Sequence, residues 1–341
     1  MLRKLGKKQL LHAVELLEAG KVVALPTETV YGLAGDARNP AAVEKIFSVK
    51  KRPSTQALSI LIPSTEHMTE WANTIPLYAQ QLAEAFWPGP MTLILPKKSN
   101  VLDTLTGNSP NVGLRVPDNA MALQILTAFG SGLAAPSANS FGQLSPTTAQ
   151  HVKEGLGDAV DLILDGGICS LGIESSIIDC TGEQPKLLRQ GFLSSDDIEQ
   201  CTELTLRQDT PPTSKSFDDN LFYLAMAEIK QIISSSDEKE CIVVLSRQKP
   251  SCREFTLHDS RVPVRLKKSP DHSHATRHWI LMPQDEVGFS HCFYEQLHFA
   301  KQLLQEHTSG KVLVEMLDGT SFIWRVLDLR LKGCAPRANR R

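Results

Sequence analysis

Strand-length apolar runs take turns with helical stretches through residues 22–179, and few architectures accommodate that order. The runs are 22–25, 58–62, 91–95, 112–116, 133–135, 161–164 and 176–179. Between them, helical patterns fill 41–50, 77–86, 119–129 and 147–154, with Val43, Ile46 and Phe47 sharing one face of the first. Alternation of this kind predicts an α/β domain built on a central sheet.

At 207–219 the pattern lapses into a Pro, Ser and Asp cluster that reads as a linker. Beyond it the spacing predicts a helix near 220–234, strands at 241–245, 279–282 and 311–317, a long helix at 289–307 and a closing helix at 321–332. The 341 residues therefore divide into a domain at 1–206, a linker at 207–219 and a smaller α/β domain at 220–341.

Composition excludes several classes. No run reaches the roughly 18 apolar residues of a membrane helix, so no membrane association is expected. The basic start leads into an amphipathic pattern (Leu10, Leu11, Val14, Leu17) and reads as a first helix, not a leader. Seven cysteines without a C-x-x-C pair suggest reduced thiols in a cytoplasmic protein. The net charge of -2 is too low for a dedicated nucleic-acid-binding domain. There is no G-x-x-x-x-G-K-[ST], no G-x-S-x-G and no G-x-G-x-x-G, so P-loop, hydrolase and dinucleotide assignments lack support.

Chemistry concentrates in polar loops after strands. Pro26-Thr-Glu-Thr-Val-Tyr-Gly-Leu33 crowds two hydroxyls, a carboxylate and a phenol at a strand end, where α/β sheets bind ligands, although such hydroxyls also cap turns. Lys50-Lys-Arg-Pro53 suits either a helix carboxyl terminus or an anion clamp. Ala135-Pro-Ser-Ala-Asn-Ser-Phe-Gly142, followed by Ser145, can offer amides and hydroxyls to an anion. Arg115 and Arg189 interrupt apolar strands, for which a buried salt bridge is the simplest account. The run His272-Ser-His-Ala-Thr-Arg-His278 fits no common zinc spacing and is expected to be a solvated loop.

Taken in order, PTETVYGL at 26–33, KKRP at 50–53, FWPGPMTLILP at 86–96, VGLRVP at 112–117, APSAN at 135–139, LDGG at 164–167, ESSIID at 174–179 and LLRQG at 187–191 resemble the YrdC family, in its two-domain threonylcarbamoyl-AMP synthases. The likeness covers 8–200 and extends more loosely over the carboxyl-terminal part. It implies a YrdC-like twisted mixed sheet with helices and a concave cationic site, and a nucleotidyltransferase serving threonylcarbamoyladenosine formation in tRNA. Thr27, Arg115, Ala135 and Ser175 would surround L-threonine. Lys50, Arg52, Asn111, Ser137, Asn139, Ser145 and Arg189 would surround ATP and the bicarbonate-derived carboxylate, with Lys50, Arg52 and Ser137 as the catalytic set. Mg²⁺ would arrive with ATP, no protein-held metal is expected, and a downstream threonylcarbamoyl transferase would receive the product.

The chain departs from the family pattern at four places. Leu61 stands where a histidine is usual, Phe141 replaces a small hydroxyl residue, Gln190 replaces a proline, and the linker lacks the family's lid elements. A competing reading is a non-catalytic RNA-binding module, assisted by weak contacts from Arg330, Lys332, Arg337, Arg340 and Arg341.

Overall fold

The computed structural model describes residues 4–208, 221–224, 226–235, 241–248, 256–259, 277–305, 310–315 and 327. Most of the linker, the run 272–276, the closing helix apart from Leu327, and the basic tail lie outside the described residues. The chain forms two compact units, Met1–Phe141 with Ser145–Pro211, and Gly142–Leu144 with Pro212–Arg341.

In the first unit the strands are Val23–Leu25 (β1), Gly32–Asp36 (β2), Ser59–Leu61 (β3), Met91–Pro96 (β4), Asn111–Arg115 (β5), Leu133–Ala134 (β6), Leu162–Ile163 (β7), Ser176–Asp179 (β8), Lys186–Arg189 (β9) and Arg207–Gln208 (β10). They hydrogen-bond in the order β10-β9-β8-β4-β5-β3-β6-β2-β1-β7, with parallel and antiparallel neighbours mixed. β2 was not anticipated: the segment read as a ligand loop ends in a strand, from Gly32 onward, that pairs back on β1. The helices at Pro40–Lys50, Leu77–Phe86, Ala120–Phe129 and Ala149–Leu156 fall on the expected stretches.

Side chains alternate across the pleat, so β1 and β3 each feed two cores. Val22, Ala24, Ile60, Ile62, Val112 and Leu114 join one apolar cluster, whereas Val23, Leu25 and Leu61 pack in a second with Leu17, Ile125 and Leu126. Ser59, Thr92, Gly113 and Arg115 belong to neither cluster. They form a polar strip across β3, β5 and β4. Gly113 keeps that strip low, because a Cβ there would meet Ile94 at 3.1 Å and Thr92 at 3.3 Å.

The second unit is a parallel sheet of Leu221–Leu224 (β11), Cys241–Ser246 (β12), Thr256–Asp259 (β13), Arg277–Leu281 (β14) and Gly310–Glu315 (β15), ordered β11-β15-β12-β14-β13. Two expectations fail here. Residues 221–224 are a strand before the helix Met226–Ser235, because Leu-Phe-Tyr-Leu satisfies both periods and pairing with β15 decides it. His278 is 2% exposed within β14, so that end of the histidine run is sheet and not solvated loop. Among the described residues no helix is long and apolar enough to cross a membrane.

Candidate active site

The helix Pro40–Lys50 starts on Asn39, whose side chain accepts from the amides of Ala41 and Ala42, with Pro40 in the first turn. It ends where Lys51 takes a left-handed conformation (φ 52°), closed by the Arg52 amide donating to the Phe47 carbonyl. This turn separates the two cations. Arg52 reaches a concavity at the sheet face, while Lys50 is 1% exposed behind it.

Lys50 does not line the concavity. Its ammonium donates to the Ser137 carbonyl, to the Asn139 carbonyl at 2.7 Å and to Asn139 Oδ1 at 3.5 Å. Burial, reinforced by the neighbouring Arg52 charge, pulls its pKa down to about 7. Arg52 is held by the Ala57 carbonyl at 2.9 Å and lies over the Phe141 ring, 5.7 Å from its centroid. Burial lowers its pKa as well. The loop carrying Ser137 is pinned to the other polar loop by Leu33 N–H donating to Pro136 and Ala138 N–H donating to Tyr31, both at 2.8 Å.

Thr27 serves both readings of its loop. Its hydroxyl donates to the Val30 carbonyl at 2.6 Å and accepts from the amides of Thr29 and Val30, fixing a turn whose residues line the concavity. Arg115 has the buried ion pair expected of it. Nη2 donates to Glu28 Oε1 at 2.6 Å and to Thr29 Oγ1 at 3.0 Å, and Nε to the Gly89 carbonyl at 3.0 Å. Glu28 is 4% exposed, and its second oxygen is buried without a partner among the described residues. Arg189 is held by Ser175, donating to its carbonyl and its hydroxyl, each at 3.0 Å. Gly191 allows this approach: a Cβ there would lie 2.2 Å from the Ser176 nitrogen.

Thr27, Arg52, Arg115, Ala135, Ser137, Ser175 and Arg189 thus line one concavity, joined by Thr29 and Leu61, which the sequence reading noted without a binding role, and by Ser59, Thr92 and Glu174, which it did not select. Ser145 lies just behind, donating to Glu174 at 2.8 Å, and Asn139 is fixed on Lys50. Asn111 does not join them. It sits on the same face of β5 as Arg115 but four residues along, roughly 13 Å at strand spacing. Leu61 brings an apolar wall, and Gln190 turns away to donate to the Leu193 carbonyl. The signals for Glu174 and Thr92 were their places in the ESSIID and FWPGPMTLILP segments; nothing local marked Ser59.

Fold and site together define a mixed-sheet α/β protein with a guanidinium-lined pocket on its sheet. A family model described as "Telomere recombination", for the Sua5, YciO and YrdC proteins, matches residues 15–191. The chain belongs to that family. It is 44% identical over 188 residues to a threonylcarbamoyl-AMP synthase of Pyrococcus abyssi, covering 55% of each chain. It is 41% identical over 192 residues to one of Bacillus subtilis, covering 56% of each. These matches span about half the length of both relatives. A third, from Vibrio vulnificus, is 35% identical over 182 residues, covering 53% of this chain and 97% of that one. Among solved structures, Pyrococcus abyssi Sua5 complexed with L-threonine superposes with a TM-score of 0.79 at 26% identity, covering 98% of this chain and 96% of that one.

Proposed function

We propose that the protein is an L-threonylcarbamoyladenylate synthase, a nucleotidyltransferase making threonylcarbamoyl-AMP and pyrophosphate from L-threonine, bicarbonate and ATP for tRNA threonylcarbamoyladenosine modification. The observation that carries the reading is the convergence of Arg52, Arg115 and Arg189 with the hydroxyls of Thr27, Ser137 and Ser175 on one pocket. Threonine's amine adds to bicarbonate, water leaves, and the resulting N-carboxylate attacks the α-phosphorus of ATP and expels pyrophosphate. No protein nucleophile is needed; positioning and charge neutralisation carry the catalysis.

In this reading Arg115 keeps one guanidinium edge for the threonine carboxylate while Glu28 fixes the other. Arg52 and Arg189 face the phosphates. Lys50 acts through the 137–139 loop that it braces. Magnesium would be held chiefly by the triphosphate and would screen its charge. The pocket lining offers hydroxyls and one carboxylate, and the described residues contain no group of three acidic, histidine or cysteine side chains placed for a metal. The product would pass to a threonylcarbamoyl transferase, and the site of action would be the cytoplasm.

The test is pyrophosphate release by the purified chain with ATP, Mg²⁺ and bicarbonate, with and without L-threonine. Release that requires both threonine and bicarbonate is expected; release indifferent to threonine would refute the reading.

A further inference from the structure

The pocket contains three guanidinium groups, which answer the carboxylate and phosphate groups of the substrates. An amino acid at neutral pH also brings an ammonium group, and arginines repel it. A carboxylate is the strongest acceptor for it, because the hydrogen bond is then between opposite charges. Among the described lining residues Glu174 is the one carboxylate. Glu28 is not equivalent: it is 4% exposed, does not line the pocket, and commits Oε1 to Arg115.

The placement of Glu174 adds a second argument. Its neighbour in the chain is Ser175, whose hydroxyl lies 3.0 Å from Thr92 Oγ1 and accepts from Arg189. Its hydrogen-bond partner is Ser145, on the loop that Lys50 braces at Ser137 and Asn139. Glu174 therefore stands between the side of the pocket assigned to threonine and the side assigned to the nucleotide. The atom of threonine that must lie at that junction is the amine nitrogen, because it acquires the carboxyl group that is then adenylated. The Ser145 hydroxyl fixes Oε1 at 2.8 Å, so the carboxylate is oriented before a ligand arrives.

We infer that Glu174 is the ammonium-recognising residue of the site, and that it selects α-amino acids over acids of the same shape without an amine. This rests on the synthase reading above.

Calorimetric titration of the full chain, without ATP or Mg²⁺, compares L-threonine with 3-hydroxybutanoate, which is threonine lacking its amine. Wild type should prefer threonine by at least about tenfold. Glu174→Gln should weaken threonine binding roughly 10- to 100-fold, the value of a hydrogen bond to a charged group, and leave 3-hydroxybutanoate binding unchanged. Should the glutamine variant not fold, Glu174→Ala is read in the same way. A variant that keeps the preference for threonine overturns the inference, as does one that loses both ligands equally while melting at the wild-type temperature. Failure of the wild type to bind threonine at all would sink the synthase reading itself, and the inference with it.

Discussion

Replacing Lys50 with methionine separates what the buried ammonium does for the fold from what it does for the site. Burial moves its pKa from 10.5 to about 7, and at about 1.4 kcal/mol per unit the charged form costs the fold about 5 kcal/mol. Against this, the ammonium supplies donors to the Ser137 and Asn139 carbonyls and to Asn139 Oδ1. Stripping a buried acceptor costs about 1–3 kcal/mol, so taking the donors from the Ser137 and Asn139 carbonyls costs about 2–6 kcal/mol. Methionine preserves the apolar stem, and the two terms nearly cancel. K50M should therefore unfold within about 3 kcal/mol of wild type at pH 7, a melting shift of less than about 10 °C. Turnover should still fall by at least about tenfold, because the 137–139 loop loses its charge-assisted anchor. The pH dependence carries a definite sign. The desolvation cost is fully present below pH 7 and is shed as pH rises from about 7 toward 10.5, because over that window the unfolded chain binds the extra proton. Wild-type stability relative to K50M should climb across that window. Melts at pH 6, 8 and 10, beside pyrophosphate release, test both parts. A stability difference flat in pH, or a mutant turning over like wild type, would refute the reasoning.

Glu28→Gln breaks the 2.6 Å pair with Arg115 and leaves a buried charge uncompensated, so urea unfolding should show a loss of about 3–5 kcal/mol; a loss under about 1 kcal/mol would contradict the pairing. Phe141→Ala removes the ring beneath Arg52, and calorimetry should find ATP affinity about two- to fivefold weaker with the melting temperature nearly unchanged. Gly191→Ala forces the 174–176 segment away from a Cβ 2.2 Å from the Ser176 nitrogen, so stability should drop by more than about 2 kcal/mol and threonine binding should fall with it in the same titrations.

Much of the first unit was legible because its strands are apolar and its helices amphipathic, as at 91–95 and 77–86. β2 escaped because Gly-Leu-Ala-Gly-Asp has no β-branched residue, and only pairing with β1 and β6 makes it a strand. Local pattern could mark Arg115 as needing a partner but could not name Glu28, which lies 87 residues away in the chain. It could also place Lys50 and Arg52 on one turn without showing that they part, one turned inward to brace a loop and the other turned to the pocket. The motif readings selected seven of the pocket's lining residues, whereas Ser59 entered only through strand register.

The walls of the pocket come from segments between Thr27 and Arg189, and β4, which supplies Thr92, must pair with β8, some 85 residues later. Contacts so distant in sequence close late and slowly. During synthesis the chain holds no complete site until residue 189 has emerged and β9 has folded back on β8. The pocket wall is therefore completed in one step when β9 is added, and a chain that stops short of Arg189 carries only part of it.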